Sequence, residues 1–388
     1  MRIGGKLCET GEEVTLTIAG GRIAGISAGV ESAEIGGPHV WLSPGFLDLQ
    51  LNGYGGYDFN IGSWRDPSLV TDNLAPMFAR VAQSGTAMLC PTICTDSSEH
   101  MQGALSALAR ALEADPRMAR AVPGIHVEGP YLSGEDGPRG AHPKEHVRDP
   151  DWDEFRRFQD SSGGRIRILT LAPEREGALK FIEKVAETGV VVAIGHSGAS
   201  PETIREAVHA GARMSTHLGN GAHALLPRHP NYIWEQLAHD GLYASVIMDG
   251  HHLPPSVAKV FVRVKGPERL ALISDAVAIG GLKPGLYAEG RYEVLPTGKI
   301  VLAGTPYLAG AGHLLDTCVA NALQFTDLSV AQAACCASTI PARILGLEAR
   351  KGHLQVGYDA DVTAFRVREE GPLEIVATVC GGELVWKG

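Results

Sequence analysis

The segment Val190-Val-Val-Ala-Ile-Gly-His196 decides the fold class, because it is a continuous apolar, β-branched run that ends on a glycine and a histidine. Such a run is typical of a strand buried on both faces of a parallel sheet. Similar runs, each followed by a polar or Gly/Pro turn and then by helical spacing, recur at residues 47–52, 86–92, 124–128, 167–172, 214–220, 244–249 and 270–275. This alternation of strands and helices predicts a (β/α)₈ TIM barrel.

The two ends of the chain show a different pattern. Residues 6–26 and 352–386 carry alternating apolar residues and Gly-rich turns without helical spacing, which predicts strands. We therefore expect an α/β protein in which both termini form one small β-sandwich domain, at residues 1–42 and 345–388, beside a catalytic barrel at residues 43–344. The length of 388 residues fits a barrel of about 250 residues with a smaller appended domain.

The composition excludes several classes of protein. The net charge of −10 comes from 44 acidic and 34 basic residues spread along the chain, so we expect no nucleic-acid partner. No run approaches the ~20 apolar residues of a membrane span, and residues 1–10 do not resemble a signal peptide. We expect no membrane association and a cytoplasmic location. The seven cysteines are odd in number and unevenly spaced, which predicts that they stay reduced.

Ionisable residues fall at the carboxyl ends of the predicted strands. They are Glu128, His196, His217, Asp249 and Asp275. In a parallel barrel these strand ends meet on one face, where the loops build active sites. A buried strand tolerates a charge only when the charge is paired or bound to a metal. The pattern therefore predicts one functional site at this face.

Three of these residues form a candidate metal site. Glu128, His196 and His217 offer one carboxylate and two imidazoles, and small neighbouring residues leave room for a ligand above the barrel. A single histidine at a strand end is more often a hydrogen-bonded core residue. One glutamate and two histidines at three strand ends together favour a shared divalent ion.

Asp275 ends the last predicted strand and would lie beside this metal. A carboxylate there can take a proton from the attacking water and pass it to the leaving amine, which makes it both base and acid. The alternative is an aspartate that caps a helix N-terminus. That alternative does not explain why the preceding strand is so apolar.

The motifs as a set resemble a known family. They are Ser43-Pro-Gly-Phe-Leu-Asp-Leu-Gln50-Leu-Asn52-Gly, His126-Val-Glu128-Gly-Pro130, Gly140-Ala-His142, Gly195-His196-Ser197, Thr216-His217-Leu-Gly-Asn220, Asp249-Gly-His-His252 and Ser274-Asp275-Ala276. The chain is similar over nearly its whole length to the N-acetylglucosamine-6-phosphate deacetylase family, whose barrel is of the amidohydrolase type. The resemblance implies hydrolysis of the N-acetyl group of a small phosphorylated amino sugar.

The resemblance also implies roles for individual catalytic residues. Glu128, His196 and His217 would hold the metal, and Asp275 would be the catalytic acid and base. His142 would donate a hydrogen bond to the acetyl carbonyl and help to polarise it.

Substrate contacts follow from the same resemblance. Asn220, the backbone of Gly221, and His252 would contact the sugar phosphate. Arg228 would reach the phosphate from a neighbouring subunit, which implies a homodimer, and a planar guanidinium suits a phosphate dianion. The alternative is that Arg228 is a solvated residue of a Pro-rich loop.

The first predicted strand bears on the number of metal ions. Amidohydrolases with two metals have an HxH pair there, whereas this chain has Gln50 and Asn52, and neutral amides are poor ligands for a divalent transition metal. The sequence therefore predicts one divalent ion per subunit. Zinc is favoured, with iron or another divalent ion open, because a carboxylate with two imidazoles does not choose strongly among them.

Departures from the family pattern leave alternatives open. Gly219 and Gly221 stand where bulkier residues are usual, and residues 305–313 replace a Gly-Ser-type segment close to the expected acyl group. The substrate could therefore be another N-acyl amino sugar or an N-acyl amino acid. A third hypothesis is an inactive binding or scaffolding protein on the same barrel. The roles of His251, His223 and His313 stay open.

Overall fold

The computed structural model describes residues 1–60, 68–305 and 307–388. Its strands are β1 Arg2–Leu7, β2 Glu13–Ala19, β3 Arg22–Ala28, β4 Ile35–Pro44, β5 Phe46–Leu51, β6 Gly53–Tyr54, β7 Tyr57–Asp58, β8 Thr86–Cys94, β9 Ile125–Glu128, β10 Ile166–Leu171, β11 Val191–Ile194, β12 Ala212–Ser215, β13 Tyr243–Ile247, β14 Leu270–Ile273, β15 Gly285–Tyr287, β16 Tyr292–Val294, β17 Ile300–Leu302, β18 Val362–Arg366, β19 Glu374–Cys380 and β20 Glu383–Lys387.

The helices of the described residues alternate with the barrel strands and then follow them. They are α1 Ser68–Val81, α2 Ser98–Ala114, α3 Pro116–Ala121, α4 Trp152–Ser161, α5 Ala178–Glu187, α6 Pro201–His209, α7 Tyr232–Ala238, α8 Pro255–Lys265, α9 Leu315–Phe325, α10 Val330–Ala337 and α11 Thr339–Ile344. Ser97, Asp151 and Ser200 accept backbone N–H groups at the starts of α2, α4 and α6, so polar caps set where these helices begin. Within the described part of the chain, no helix combines the length and the apolar character that a bilayer crossing requires.

The predicted barrel is confirmed. Eight parallel strands are hydrogen-bonded in the order β5, β8, β9, β10, β11, β12, β13 and β14. Closure between the first and last strands is made by the backbone N–H of Asp275, which donates to the carbonyl of Gln50 at 3.0 Å, and by the N–H of Ser274, which donates to Oδ1 of Asp48 at 3.1 Å. The strand ends are thereby arranged in a ring.

The chain termini form the predicted small β domain. Its seven strands are paired in the order β20, β19, β18, β4, β1, β2 and β3, and they bury an apolar core of their own that includes Ile3, Leu16 and Val362. Gly45 alone separates β4 from β5, so the chain passes directly from this domain into the first barrel strand. The division at residues 42/43 and 344/345 stays a prediction.

A small antiparallel sheet lies between the last barrel strand and α9. It is formed by β15, β16 and β17, paired in that order. Ala288, in the turn after β15, and Tyr292 of β16 line the cavity at the barrel mouth together with residues 308–310. The stretch that departs from the family pattern follows this sheet, and of that stretch Pro306 lies outside the described residues.

Candidate active site at the barrel mouth

A cavity of about 400 Å³ opens at the carboxyl ends of the barrel strands. Of the predicted site residues, Arg228 and the strand-end residue Asp249 do not line it. Those that do are Glu128, His142, His196, His217, Asn220, Gly221, His252 and Asp275. The strand-end pattern in the sequence therefore located the cavity.

The three predicted metal ligands converge in space. Nε2 of His196 and Nε2 of His217 each lie 3.1 Å from Oε1 of Glu128, and the two nitrogens are 3.0 Å apart. All three side chains are buried. Ligand atoms around a tetrahedral zinc ion lie roughly 3.3 Å from one another when each bond is about 2.0–2.1 Å. The spacing in this structure therefore fits one transition-metal ion.

The orientation of the His196 ring supports the same conclusion. Its Nδ1 lies 2.8 Å from the carbonyl oxygen of Pro138. A carbonyl only accepts, so Nδ1 carries a proton, which leaves Nε2 as the nitrogen that can offer a lone pair to a metal. That lone pair faces Glu128 and His217, as a metal ligand's would.

Three site residues have a strained backbone. The φ angle is 51° at His196, 31° at His217 and 51° at Asp275. Positive φ cannot continue a strand, and β11, β12 and β14 end two residues earlier, at Ile194, Ser215 and Ile273. The prediction that the strands extend through these three residues was therefore wrong. The left-handed conformation turns each side chain over the barrel mouth, and such strain is common at functional sites.

Glycines make room for the His196 ring. A Cβ atom on Gly221 would lie 2.8 Å from Nδ1 of His196, and one on Gly140 would lie 3.0 Å from its Cε1. Both glycines also have positive φ, at 57° and 59°. Gly221, one of the departures from the family pattern, therefore allows the ring to lie between two close backbone segments.

Charge in the ligand cluster is balanced by short contacts. Burial acts to raise the pKa of Glu128, but its short contacts with His196 and His217 hold it well below its usual value. Burial acts to lower the pKa of His217, but its contact with Glu128 raises it. The carboxylate is therefore ionised, which suits a metal ligand.

Asp275 is held by two amides from the first strand and the residue after it. Nδ2 of Asn52 donates to Oδ1 of Asp275 at 2.8 Å, and Nε2 of Gln50 donates to the same oxygen at 3.0 Å and to Oε1 of Glu128 at 2.9 Å. Burial, followed by the negative charge of Glu128, raises the pKa of Asp275 to about 6. Gln50 and Asn52 therefore act as hydrogen-bond donors, which is consistent with their exclusion as ligands.

His142 lies against the same cluster. Its Nε2 is 3.2 Å from Nε2 of His196 and 4.0 Å from Oε2 of Glu128. Burial and the neighbouring His196 lower the pKa of His142 to about 3, so the ring is neutral. A neutral ring in this place can direct one N–H into the cavity.

Cys94 was missed by the sequence analysis. It ends β8, and its thiol lies 3.0 Å from Oδ1 of Asn52 and 3.7 Å from Oε2 of Glu128. Burial and the charge of Glu128 hold the pKa of this thiol well above its usual value, so it is a protonated donor. The predicted second strand ended at residue 92, and two more residues would have placed Cys94 among the strand-end side chains.

The substrate-contact residues divide into two groups. Asn220, Gly221 and His252 line the cavity, whereas Arg228 is exposed on the loop that follows and is absent from the lining. One chain therefore does not bring Arg228 to its own cavity.

The three histidines whose roles the sequence left open, His223, His251 and His313, make contacts outside the cavity. His251 stacks on His313 with ring centroids 5.5 Å apart. Nε2 of His223 lies 2.9 Å from Oε2 of Glu135, and Nδ1 lies 3.0 Å from the hydroxyl of Tyr232. These contacts join loops around the barrel mouth.

Comparison with known proteins agrees with this geometry. Residues 41–385 match the amidohydrolase family. The N-acetylglucosamine-6-phosphate deacetylase of Bos taurus is 37% identical over 89% of this chain and 83% of its own length. The N-acetylgalactosamine-6-phosphate deacetylase of Shewanella sp. (strain ANA-3) is 31% identical over 97% of this chain and 92% of its own length.

A solved structure covers the whole chain. The crystal structure of N-acetyl-D-glucosamine-6-phosphate deacetylase from Mycobacterium smegmatis superposes with a TM-score of 0.87 at 31% identity, covering 100% of both chains. The chain therefore belongs to the amidohydrolase family, a family of metal-dependent hydrolases, and resembles its N-acetylglucosamine-6-phosphate deacetylases.

Proposed function

We propose that this protein is a metal-dependent deacetylase that converts N-acetylglucosamine 6-phosphate and water into glucosamine 6-phosphate and acetate. The observation that carries the proposal is the convergence of Glu128, His196 and His217 within 3.1 Å, with Asp275 joined to the same cluster through Gln50. The similarity to deacetylases of phosphorylated amino sugars supports this choice of substrate.

Glu128, His196 and His217 would hold one divalent ion per subunit. We favour zinc, with iron or another divalent ion as the alternative, because one carboxylate and two imidazoles suit several of these ions. Gln50 and Asn52 donate hydrogen bonds to the carboxylates instead of offering a second ligand set. A bound ion would supply Lewis acidity at the scissile carbonyl and make water nucleophilic at neutral pH.

Asp275 would move the protons of the reaction. As water attacks the amide carbon, the ionised carboxylate takes its proton and then gives a proton to the nitrogen as the C–N bond breaks. The products are acetate and the amine. His142, neutral beside the cluster, would donate a hydrogen bond to the carbonyl oxygen and stabilise the charge that develops on it.

The sugar phosphate would lie against Asn220, the backbone N–H of Gly221, and His252, all of which line the cavity. Arg228 is exposed outside the cavity of its own subunit, so we propose that it completes the phosphate site of a partner in a homodimer. We place the enzyme in the cytoplasm, where phosphorylated sugars occur.

Acetate release tests the proposal. Purified protein loaded with zinc should release acetate from N-acetylglucosamine 6-phosphate, and Asp275→Asn should lower kcat by about 10³-fold or more while the metal content stays at that of the wild type. Asp240→Asn, on an exposed side chain, is the matched control. Undiminished acetate release by Asp275→Asn would contradict the assigned role.

N-acetylgalactosamine 6-phosphate is a second candidate substrate. The Shewanella relative, which is named as a deacetylase of that compound, is similar over 97% of this chain. Kinetics on both epimers, on N-acetylglucosamine without phosphate and on an N-acyl amino acid would decide among them. A kcat/KM highest for the unphosphorylated sugar or the amino acid would reject the phosphate-dependent proposal in favour of another deacylase.

A further inference from the structure

Asp249 lies two residues beyond β13, and its carboxylate is hydrogen-bonded to the two residues His251 and His252 that follow it closely in the chain. Its Oδ1 accepts the backbone N–H of His251 at 2.8 Å and that of His252 at 2.9 Å, and its Oδ2 lies 2.8 Å from Nδ1 of His252. The carboxylate is buried, with 1% of its side chain exposed. Burial acts to raise the pKa of Asp249, but the hydrogen bonds from His252 and the backbone lower it to about 2. The group is therefore an anion at neutral pH.

This contact determines which edge of the His252 ring faces the cavity. A carboxylate only accepts, so Nδ1 of His252 must carry a proton. Nε2 is then the nitrogen left for other partners, and His252 lines the cavity together with Asn220 and Gly221. His252 and Asp249 therefore form a pair of which only His252 lines the cavity.

Within one subunit, the cavity has little other positive charge to offer an anion. Among the described residues that line it there is no lysine or arginine. The other lining histidines, His142, His196 and His217, are grouped around Glu128. A neutral His252 with its proton on Nδ1 would present only a lone pair at Nε2, which repels a phosphate oxygen, whereas the imidazolium donates an N–H to it.

We propose that Asp249 is a positioning residue for phosphate recognition, which fixes the ring of His252 through its Nδ1 proton and leaves Nε2 to donate an N–H to the phosphate of the substrate. The identity of that substrate rests on the proposed function. Asp249 itself has no contact with the reacting amide in this scheme, because both of its oxygens are used by His251 and His252.

Kinetics on two sugars test this role. Asp249→Asn keeps the size of the side chain and should raise KM for N-acetylglucosamine 6-phosphate by about 10- to 100-fold, the loss expected for one hydrogen bond to a charged group, with little change in kcat. The kcat/KM for unphosphorylated N-acetylglucosamine should not change. Asp240→Asn is the matched control, since that carboxylate is exposed and pairs with Arg269.

A double-mutant cycle shows whether Asp249 acts through His252. The double variant Asp249→Asn, His252→Ala should bind the phosphorylated sugar no more weakly than His252→Ala alone. Additive losses, or an equal fall of kcat on both sugars, would overturn the proposal and make Asp249 a structural residue of the loop.

Nitrogen NMR of the histidine rings gives a test that needs neither a folded variant nor catalysis. In the metal-loaded wild type with saturating inorganic phosphate or glucosamine 6-phosphate, both ring nitrogens of His252 should carry protons. A neutral ring with phosphate bound, or no binding of either ligand, would overturn the inference. If phosphate binds to an imidazolium but no acetate is released from any sugar, the proposed function fails and the pair of Asp249 and His252 stands.

Discussion

Nε2 of His196 lies 3.0 Å from Nε2 of His217, and both nitrogens lie 3.1 Å from Oε1 of Glu128. His196 donates its Nδ1 proton to the carbonyl of Pro138, so Nε2, the nitrogen that can bind a metal, points at the other two atoms. Three electron-rich atoms this close are stabilised best by a shared cation. The cluster should therefore make the folded state depend on bound metal.

Metal removal should destabilise the protein. Chelation should lower the Tm of the wild type, because an ion that binds only the folded state adds about 4 kcal/mol when its free concentration is about 1,000 times its Kd. Glu128→Gln should hold less than one metal ion per chain, and its Tm should no longer respond to chelator. Glu187→Gln, on an exposed helical residue, should keep its bound metal and the fall of Tm on chelation. Calorimetry with metal analysis measures this, and a Tm of the wild type that ignores chelator would contradict it.

Gly221→Ala should weaken metal binding through His196. The added Cβ would lie 2.8 Å from Nδ1 of His196, so the ring must shift away from the cluster. Gly177→Ala is a matched control, because Gly177 also has positive φ, at 75°, but a Cβ atom added there would meet nothing within 4 Å. Both variants should lose roughly 1–2 kcal/mol of stability from backbone strain. Only Gly221→Ala should need more zinc for half-maximal activity in a titration; equal zinc requirements would show that the ring tolerates the added atom.

Arg228 should act across a dimer. Arg228→Ala should raise KM for the phosphorylated sugar, and Asp275→Asn should abolish turnover. An equal mixture of the two variants, unfolded and refolded together so that subunits pair at random, should nevertheless regain about one quarter of the wild-type activity. In the hybrid, the site with Asp275 receives Arg228 from the other subunit. Activity no higher than the sum of the two separate variants, in a sample that light scattering shows to be dimeric, would place Arg228 in its own subunit or outside the site.

Lys265 should make the free energy of unfolding depend on pH in the alkaline range. Its buried ammonium donates to the carbonyls of His239 at 2.8 Å and Leu242 at 2.9 Å, and burial lowers its pKa from 10.5 to about 8. Between these two values the unfolded chain binds more protons than the folded one, so the free energy of unfolding should rise with pH, and below pH 8 this contribution should be constant. Urea unfolding should show that Lys265→Met removes the rise and that Lys180→Met, on an exposed residue, does not. A rise of the same size in Lys265→Met would assign it to other groups.

Much of the site could be predicted because its signal is local. A barrel strand is apolar on both faces, so an ionisable residue at its carboxyl end stands out, as Glu128, His196 and Asp275 do. Cys94 escaped because its strand was ended too early and because a cysteine does not interrupt an apolar pattern. The positive φ angles at His196, His217 and Asp275 could not be predicted from the sequence, since neither histidine nor aspartate as a residue type indicates a left-handed backbone.

By itself, the sequence determined the barrel, the terminal β domain and the face on which the chemistry lies, because burial periodicity and strand ends depend only on neighbours along the chain. Only the tertiary structure decided that Gln50 and Asn52 hold Asp275, that Gly221 makes room for His196, and that Arg228 stays outside its own cavity. Those relationships join residues far apart in the chain. Their distances are set by the closure of β5 against β14 and by how the loops pack over the mouth, which no single segment encodes.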